Sequence, residues 1–163
     1  MLRPRGGDWL PDETKSWREA DIDRVVSLLE RDEEAQLDLA GEAAAAAANG
    51  VEFTSFPLPD RGIPASHESA AELVSGVVGA LERGRTVVVH CRQGIGRSAL
   101  ITGAVLVAEG EDVHTALRTI RQSRGLEVPE TDEQRQWLRD FASRWTREPA
   151  AQHRAAPDGR KRP

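Results

Sequence analysis

The chain has a single cysteine, no tyrosine, and no apolar run approaching the length needed to cross a membrane. One cysteine excludes a disulfide within the chain. The N-terminus lacks the basic, apolar and small-residue succession of a signal peptide, so the expected compartment is the cytoplasm. The histidines, at 67, 90, 114 and 153, show no ligand spacing, so no metal and no cofactor is expected. There is no Walker pattern, and Gly94-Ile95-Gly96 does not build a dinucleotide fingerprint. Acidic residues outnumber basic ones 27 to 22, a net charge of −5, which argues against a general nucleic-acid binder. No internal repeat is visible. At 163 residues the chain is long enough for one domain with a real core.

What is present is concentrated in one nonapeptide, His90-Cys91-Arg92-Gln93-Gly94-Ile95-Gly96-Arg97-Ser98. It follows the apolar run Thr86-Val87-Val88-Val89 and precedes a second run, Ala99 to Leu106. The pattern predicts a buried strand, a glycine-bearing loop and a helix, with the cysteine at the strand's end. Loop amides and the helix N-terminus would then converge on the sulfur, a geometry that binds anions and stabilises a thiolate. Read singly, the residues have plainer uses. Cys91 fits a packed thiol, Gly94 and Gly96 fit a turn, and Ser98 fits the first turn of a helix. Arg97 fits less easily, because the helix dipole disfavours a cation in that first turn. A cation there calls for an anionic partner, and the guanidinium fork can hold two phosphoryl oxygens at once.

Cys91, five intervening residues, Arg97 and Ser98 resemble the signature loop of the cysteine-dependent protein tyrosine phosphatases. Together with Phe56-Pro57-Leu58-Pro59-Asp60-Arg61-Gly62, the chain is similar to the small dual-specificity-like branch. That branch includes bacterial members and the cyclin-dependent kinase inhibitor 3-like subgroup. The likeness runs over roughly residues 6–144. It implies a phosphocysteine mechanism. Cys91 would be the nucleophile and Arg97 would clamp the phosphoryl group. Arg92, Gln93, Gly94, Ile95 and Gly96 would complete the phosphate cradle. Ser98 would bond the sulfur and assist breakdown of the phosphoenzyme, and His90 would fix the loop and help lower the thiol pKa.

Leu58-Pro59-Asp60-Arg61-Gly62 is by itself a turn sequence, in which a solvated aspartate is the default. The resemblance gives Asp60 a second reading, as the general acid on a mobile loop about thirty residues before the cysteine. Glu68 is the next carboxylate to consider for that role.

The implied fold is an α/β three-layer sandwich with a mainly parallel central sheet flanked by helices. Strands are expected over 24–29, 51–56 and 86–90. Helices are expected from Asp8 to Ala20, over 31–49, 66–83, 97–109 and 113–123, and from Thr131 onward. The last of these opens with the capping-box spacing Thr131-Asp132-Glu133-Gln134 and would bury Trp137, Leu138, Phe141 and Trp145. Small phosphatases of this type begin with a β-hairpin. Only Met1 to Gly7 precede the first expected helix, so the hairpin is expected to be missing and a sheet edge to be exposed. Residues 1–146 form the expected phosphatase domain. Residues 147–163 carry a net charge of +3 and lack bulky apolar side chains, and they read as a disordered basic tail.

The expected substrate is a phosphorylated protein or peptide, with no nucleic acid and no stable membrane association. The absence of tyrosine removes the recognition loop that deepens a phosphotyrosine pocket in relatives. Arg92, Gln93 and Ile95 stand where lipid-directed relatives place lysines. Two other classes remain open: a rhodanese-like sulfurtransferase or arsenate reductase, and a phospho-binding module without turnover. Sulfurtransferase loops are typically one residue shorter and lack a partner acid.

Overall fold

Val25 and Val26 set the layering. Both are fully buried, yet successive strand side chains point to opposite faces, so their strand must be covered on both sides. The computed structural model describes residues 3–145. A 3₁₀ turn (Gly7–Trp9) leads into α1 (Leu10–Glu19), followed by β1 (Arg24–Ser27), α2 (Arg31–Gln36), α3 (Glu42–Ala48) and β2 (Glu52–Ser55). Then come α4 (His67–Glu82), β3 (Val87–His90), α5 (Arg97–Ala108), α6 (Val113–Arg124) and α7 (Asp132–Trp145).

The three strands pair in the order β2-β1-β3, all parallel. Val25 lies in register with Phe53 and Val88, and Val26 with Thr54 and Val89. Val25 packs with Trp17, Ala46 and Val51 under α1 and α3. Val26 joins the larger core built from α4, α5, α6 and α7, including Val74, Leu100, Ile101, Leu138 and Phe141. The result is the expected α/β three-layer sandwich, with a sheet that is wholly parallel among the described residues. No hairpin precedes α1 among them. The expected basic tail, residues 147–163, lies outside the described residues.

The expected helix over 31–49 is two helices. The chain breaks at Leu37–Gly41, where Asp38 takes a left-handed φ of 54°. Its carbonyl accepts the Gly7 amide at 2.9 Å, and Leu39 turns inward onto Leu10 and Leu29. An alanine-rich pattern gives no warning of this, because alanine favours helix regardless of what packs beside it. The break matters for the site, since it aims α2 and α3 at different parts of the catalytic loop. Two smaller expectations also change. Asp8 sits in the 3₁₀ turn and provides no side-chain cap to α1, whose N-cap is Trp9. Trp145 is half-buried, stacked on Phe141 at the margin of the core.

Candidate active site

β3 and α5 deliver the two ends of the nonapeptide. Cys91 follows the last residue of β3, and Arg97 opens α5. Gly94 adopts φ 70°, which a residue with a Cβ resists, and this turns its amide onto the sulfur at 3.2 Å. The Ser98 hydroxyl lies 3.6 Å from the sulfur on the helix side. Burial pushes the Cys91 thiol up. Hydrogen bonds from the Ser98 hydroxyl, the Ser98 amide and the Gly94 amide, with the charge of Arg97, outweigh it and hold the thiol below its ordinary value. Cys91 is only 2% exposed and is reached through a cavity of about 290 Å³.

The cavity is lined by Cys91, Arg92, Gln93, Ile95, Gly96 and Arg97 on the loop side, and by Asp60, Arg61 and Glu130 at its rim. Gly94 and Ser98 contribute from behind, against the sulfur. Arg92 extends outward, with Nη1 3.2 Å from Gln36 Oε1 and 3.9 Å from Glu33 Oε1. Asp60 is exposed, and its Oδ1 lies 3.5 Å from Arg97 Nη2. Glu68, also exposed, does not line the cavity.

Arg97 is buried, and its anionic partner in the protein is a residue that the sequence reading missed. Glu33 on α2 receives Arg97 Nη1 at 2.6 Å on Oε2 and Nη2 at 2.9 Å on Oε1, a bidentate pair. The Leu28 and Leu58 carbonyls accept further bonds from Nη1, at 3.3 and 3.0 Å. The guanidinium plane is therefore fixed before any substrate arrives. Hydrogen bonding from Arg97, opposed by burial and helped by the Glu30 amide, holds Glu33 below the usual carboxylate range. The stabilisation from this shift is complete above the ordinary glutamate pKa and is lost as pH falls through the lowered value. Removing one partner of a buried pair strands the other, at about 3–5 kcal/mol. Glu33→Ala is expected to lose stability on that scale in urea unfolding at neutral pH; a loss below about 1 kcal/mol would show that the pair is too well solvated to matter.

Glu42 on α3 was also unforeseen. Its Oε1 approaches His90 Nε2 to 2.8 Å, with both side chains buried. The distance is that of an ion pair, but the alignment is not that of a hydrogen bond. Neither oxygen of Glu42 and neither nitrogen of His90 has a hydrogen-bond partner among the described residues. A small rotation of the imidazole would align the pair, so the distance is the better guide to what these groups do. The signal for Glu33 and Glu42 in the sequence was slight: two glutamates within runs otherwise read as one amphipathic helix.

This arrangement defines a class. An α/β sandwich that presents a low-pKa cysteine, a locked arginine and a nearby aspartate around an anion-sized cavity is a small dual-specificity-like cysteine phosphatase. The chain belongs to the family described as "Tc-R-P: Polymorphic toxin system, DSP-PTPase phosphatase", whose model matches residues 1–111. It is 28% identical over 94 residues to cyclin-dependent kinase inhibitor 3 of Rattus norvegicus, and 29% identical to that of Sus scrofa. These matches cover 56% of this chain and 44% of each relative, so the chain spans less than half the length of the curated proteins it matches. Among solved structures, Tk-PTP in its active form is 30% identical, with a TM-score of 0.72 over 82% of this chain and 86% of that one. Kinase associated phosphatase with its catalytic-site cysteine replaced by serine superposes with a TM-score of 0.82 at 19% identity, over 90% of this chain and 86% of that one. The latter shows likeness of fold.

Proposed function

We propose that this domain hydrolyses phosphomonoesters of phosphorylated proteins through a phosphocysteine intermediate. The observation that carries the reading is the placement of Cys91, Arg97 and Asp60 around one cavity, with the thiol pKa lowered and Arg97 already oriented. In the first step the Cys91 thiolate forms an S–P bond while the P–O bond to the leaving group breaks. Asp60 gives its proton to the departing oxygen. Arg97 and the loop amides from Arg92 to Arg97 hold the equatorial oxygens throughout. In the second step water attacks phosphorus and passes a proton to the Asp60 carboxylate. The S–P bond breaks, and the Ser98 hydroxyl stabilises the sulfur as it leaves. His90, with Glu42 behind it, fixes the start of the loop. Residues 1–146 are the unit that does this.

The sulfurtransferase, arsenate reductase and binding-only readings lack a supporting feature. The five-residue spacing, the aspartate beside Arg97 and the family membership all favour hydrolysis. A cytoplasmic setting suits the lowered thiol, which a reducing compartment keeps free. Among the described residues no helix is long and apolar enough to cross a membrane. The test is a paired assay of a phosphotyrosine peptide, a phosphothreonine peptide and a phosphoinositide, with Cys91→Ser as control and thiosulfate as the sulfurtransferase substrate. Phosphate release from either peptide supports the reading. Turnover of thiosulfate alone, or of none of them, would overturn it.

A low-pKa thiolate oxidises readily to sulfenic acid, and here no second cysteine exists to form an internal disulfide. Peroxide is expected to inactivate the enzyme, and a small thiol to restore most of the activity. Because the sulfur is reached only through the phosphate cavity, inorganic phosphate should slow the inactivation. Inactivation at an unchanged rate in saturating phosphate would show that peroxide acts elsewhere.

A further inference from the structure

Gln134 has no exposed surface, although it lies in the first turn of α7 where a plain helix cap would be wet. Its Oε1 accepts the amides of Glu130 and Thr131, at 3.1 and 3.3 Å, and its own amide donates to Thr131 Oγ1 at 3.1 Å. Those bonds are the capping arrangement that the sequence spacing announces. The remaining group is what a cap does not need. Nε2 donates to the carbonyl of Gly62 at 2.9 Å, across 72 residues, on the loop that carries Asp60.

The two sides of that loop are held differently. Upstream, Leu58 is fixed by the Leu28 carbonyl on its amide and by Arg97 on its carbonyl. Pro59 to Gly62 form a tight turn, with the Gly62 amide on the Pro59 carbonyl at 2.9 Å and Arg61 at a left-handed φ of 57°. Downstream, the turn is tied by Gln134 and by an ion pair between Arg61 Nη1 and Glu130 Oε1 at 3.4 Å. Asp60 itself is 71% exposed, and its tie to the protein is the 3.5 Å approach to Arg97. The 130–134 segment also abuts the phosphate loop. A Cβ on Gly96 would stand 3.0 Å from Glu130 Oε2 and 3.2 Å from Gln134 Oε1. The same five residues therefore touch both loops that must meet around a substrate.

We propose that Gln134 is a positioning residue for the general acid, with the Arg61–Glu130 pair as its exposed auxiliary. By holding Gly62 it fixes the downstream end of the turn, and so the reach of Asp60 toward the leaving oxygen. This rests on the phosphatase reading and on Asp60 as the acid. A misplaced acid costs rate in proportion to how much the leaving group needs a proton, whereas a weakened helix cap costs stability and touches all substrates alike.

The experiment compares phenyl phosphate with an aryl phosphate of a much more acidic phenol, in the full chain. Gln134→Met is expected to lower kcat on phenyl phosphate about ten-fold more than on the activated ester, with inhibition by inorganic phosphate unchanged. In an Asp60→Asn background the same substitution should add no further selective loss, because no acid remains to be placed. Should Gln134→Met fold poorly, Glu130→Gln keeps the core intact and is expected to show about a three-fold selective loss. An equal loss on both esters, or an undiminished selective effect of Gln134→Met in the Asp60→Asn background, would overturn the proposal. So would the absence of selectivity in both variants. If Asp60→Asn is itself unselective, the acid assignment falls and this positioning role with it. If Asp60→Asn is selective and neither Gln134→Met nor Glu130→Gln is, the positioning role alone falls.

Discussion

Cys91→Ser is expected to abolish turnover, by on the order of 10⁴-fold or more, while the domain still binds inorganic phosphate. The two halves of this expectation come from different parts of the site. Turnover needs a nucleophile that is already an anion. The sulfur is one because the Gly94 amide, the Ser98 hydroxyl and amide, and Arg97 all favour the charged form against burial. A serine hydroxyl in the same place has no base beside it, since neither Arg97 nor Ser98 can take its proton. Binding needs the cradle, and the cradle does not depend on sulfur. Arg97 is held by Glu33 and by two carbonyls, and the loop's shape is set by Gly94 and by the start of α5. Loss of a full negative charge beside the phosphate should even favour phosphate binding. Single-turnover assay with an aryl phosphate and calorimetric titration with inorganic phosphate read the two halves separately. Retained turnover would remove Cys91 from the mechanism. Lost phosphate binding with an unchanged melt would mean that the thiolate, not the amides, organises the loop.

The parts of this site that could be read in the sequence are those whose chemistry is local. The His90–Ser98 nonapeptide carries its own geometry, because a strand end, a glycine turn and a helix start follow one another within nine residues. The strands and the longer helices were legible for the same reason, as in α4, where Leu73, Val74 and Val77 repeat at helical spacing and Ser66 caps the start. What could not be read was contact across the fold. Glu33 is 64 residues from Arg97, and Gln134 is 72 from Gly62. Glu33 and Glu42 looked like two solvent-facing charges on one helix. A turn at Asp38, braced by the chain's own N-terminal segment, separates them and sends one to Arg97 and the other to His90. Gln134 was legible as a cap and hidden as a tether, because the spacing that announces a capping box says nothing of what the spare amide nitrogen will meet.

The second large effect is expected at Asp60. If it protonates the leaving oxygen, its worth depends on how badly that oxygen needs a proton. Asp60→Asn should slow a phosphopeptide by roughly 10²–10⁴, the usual contribution of general acid catalysis. An aryl phosphate with a very acidic phenol leaves unaided, so it should lose far less. The pH profile should divide in the same way. Its acidic limb should persist, because it follows ionisation of Cys91. The decline on the basic side, where an acid would lose its proton, should flatten. Stability should barely change, because the side chain is largely in water and its approach to Arg97, at 3.5 Å, is long. The alternative is a turn aspartate that merely shapes the Pro59–Gly62 loop. That residue would cost stability on substitution and slow both substrates by one factor. Measuring both substrates and a thermal melt on the same variant separates the two. Equal loss on both, with a lowered melting temperature, would move the acid to another carboxylate. Glu130, which lines the cavity rim, would then precede Glu68, which does not.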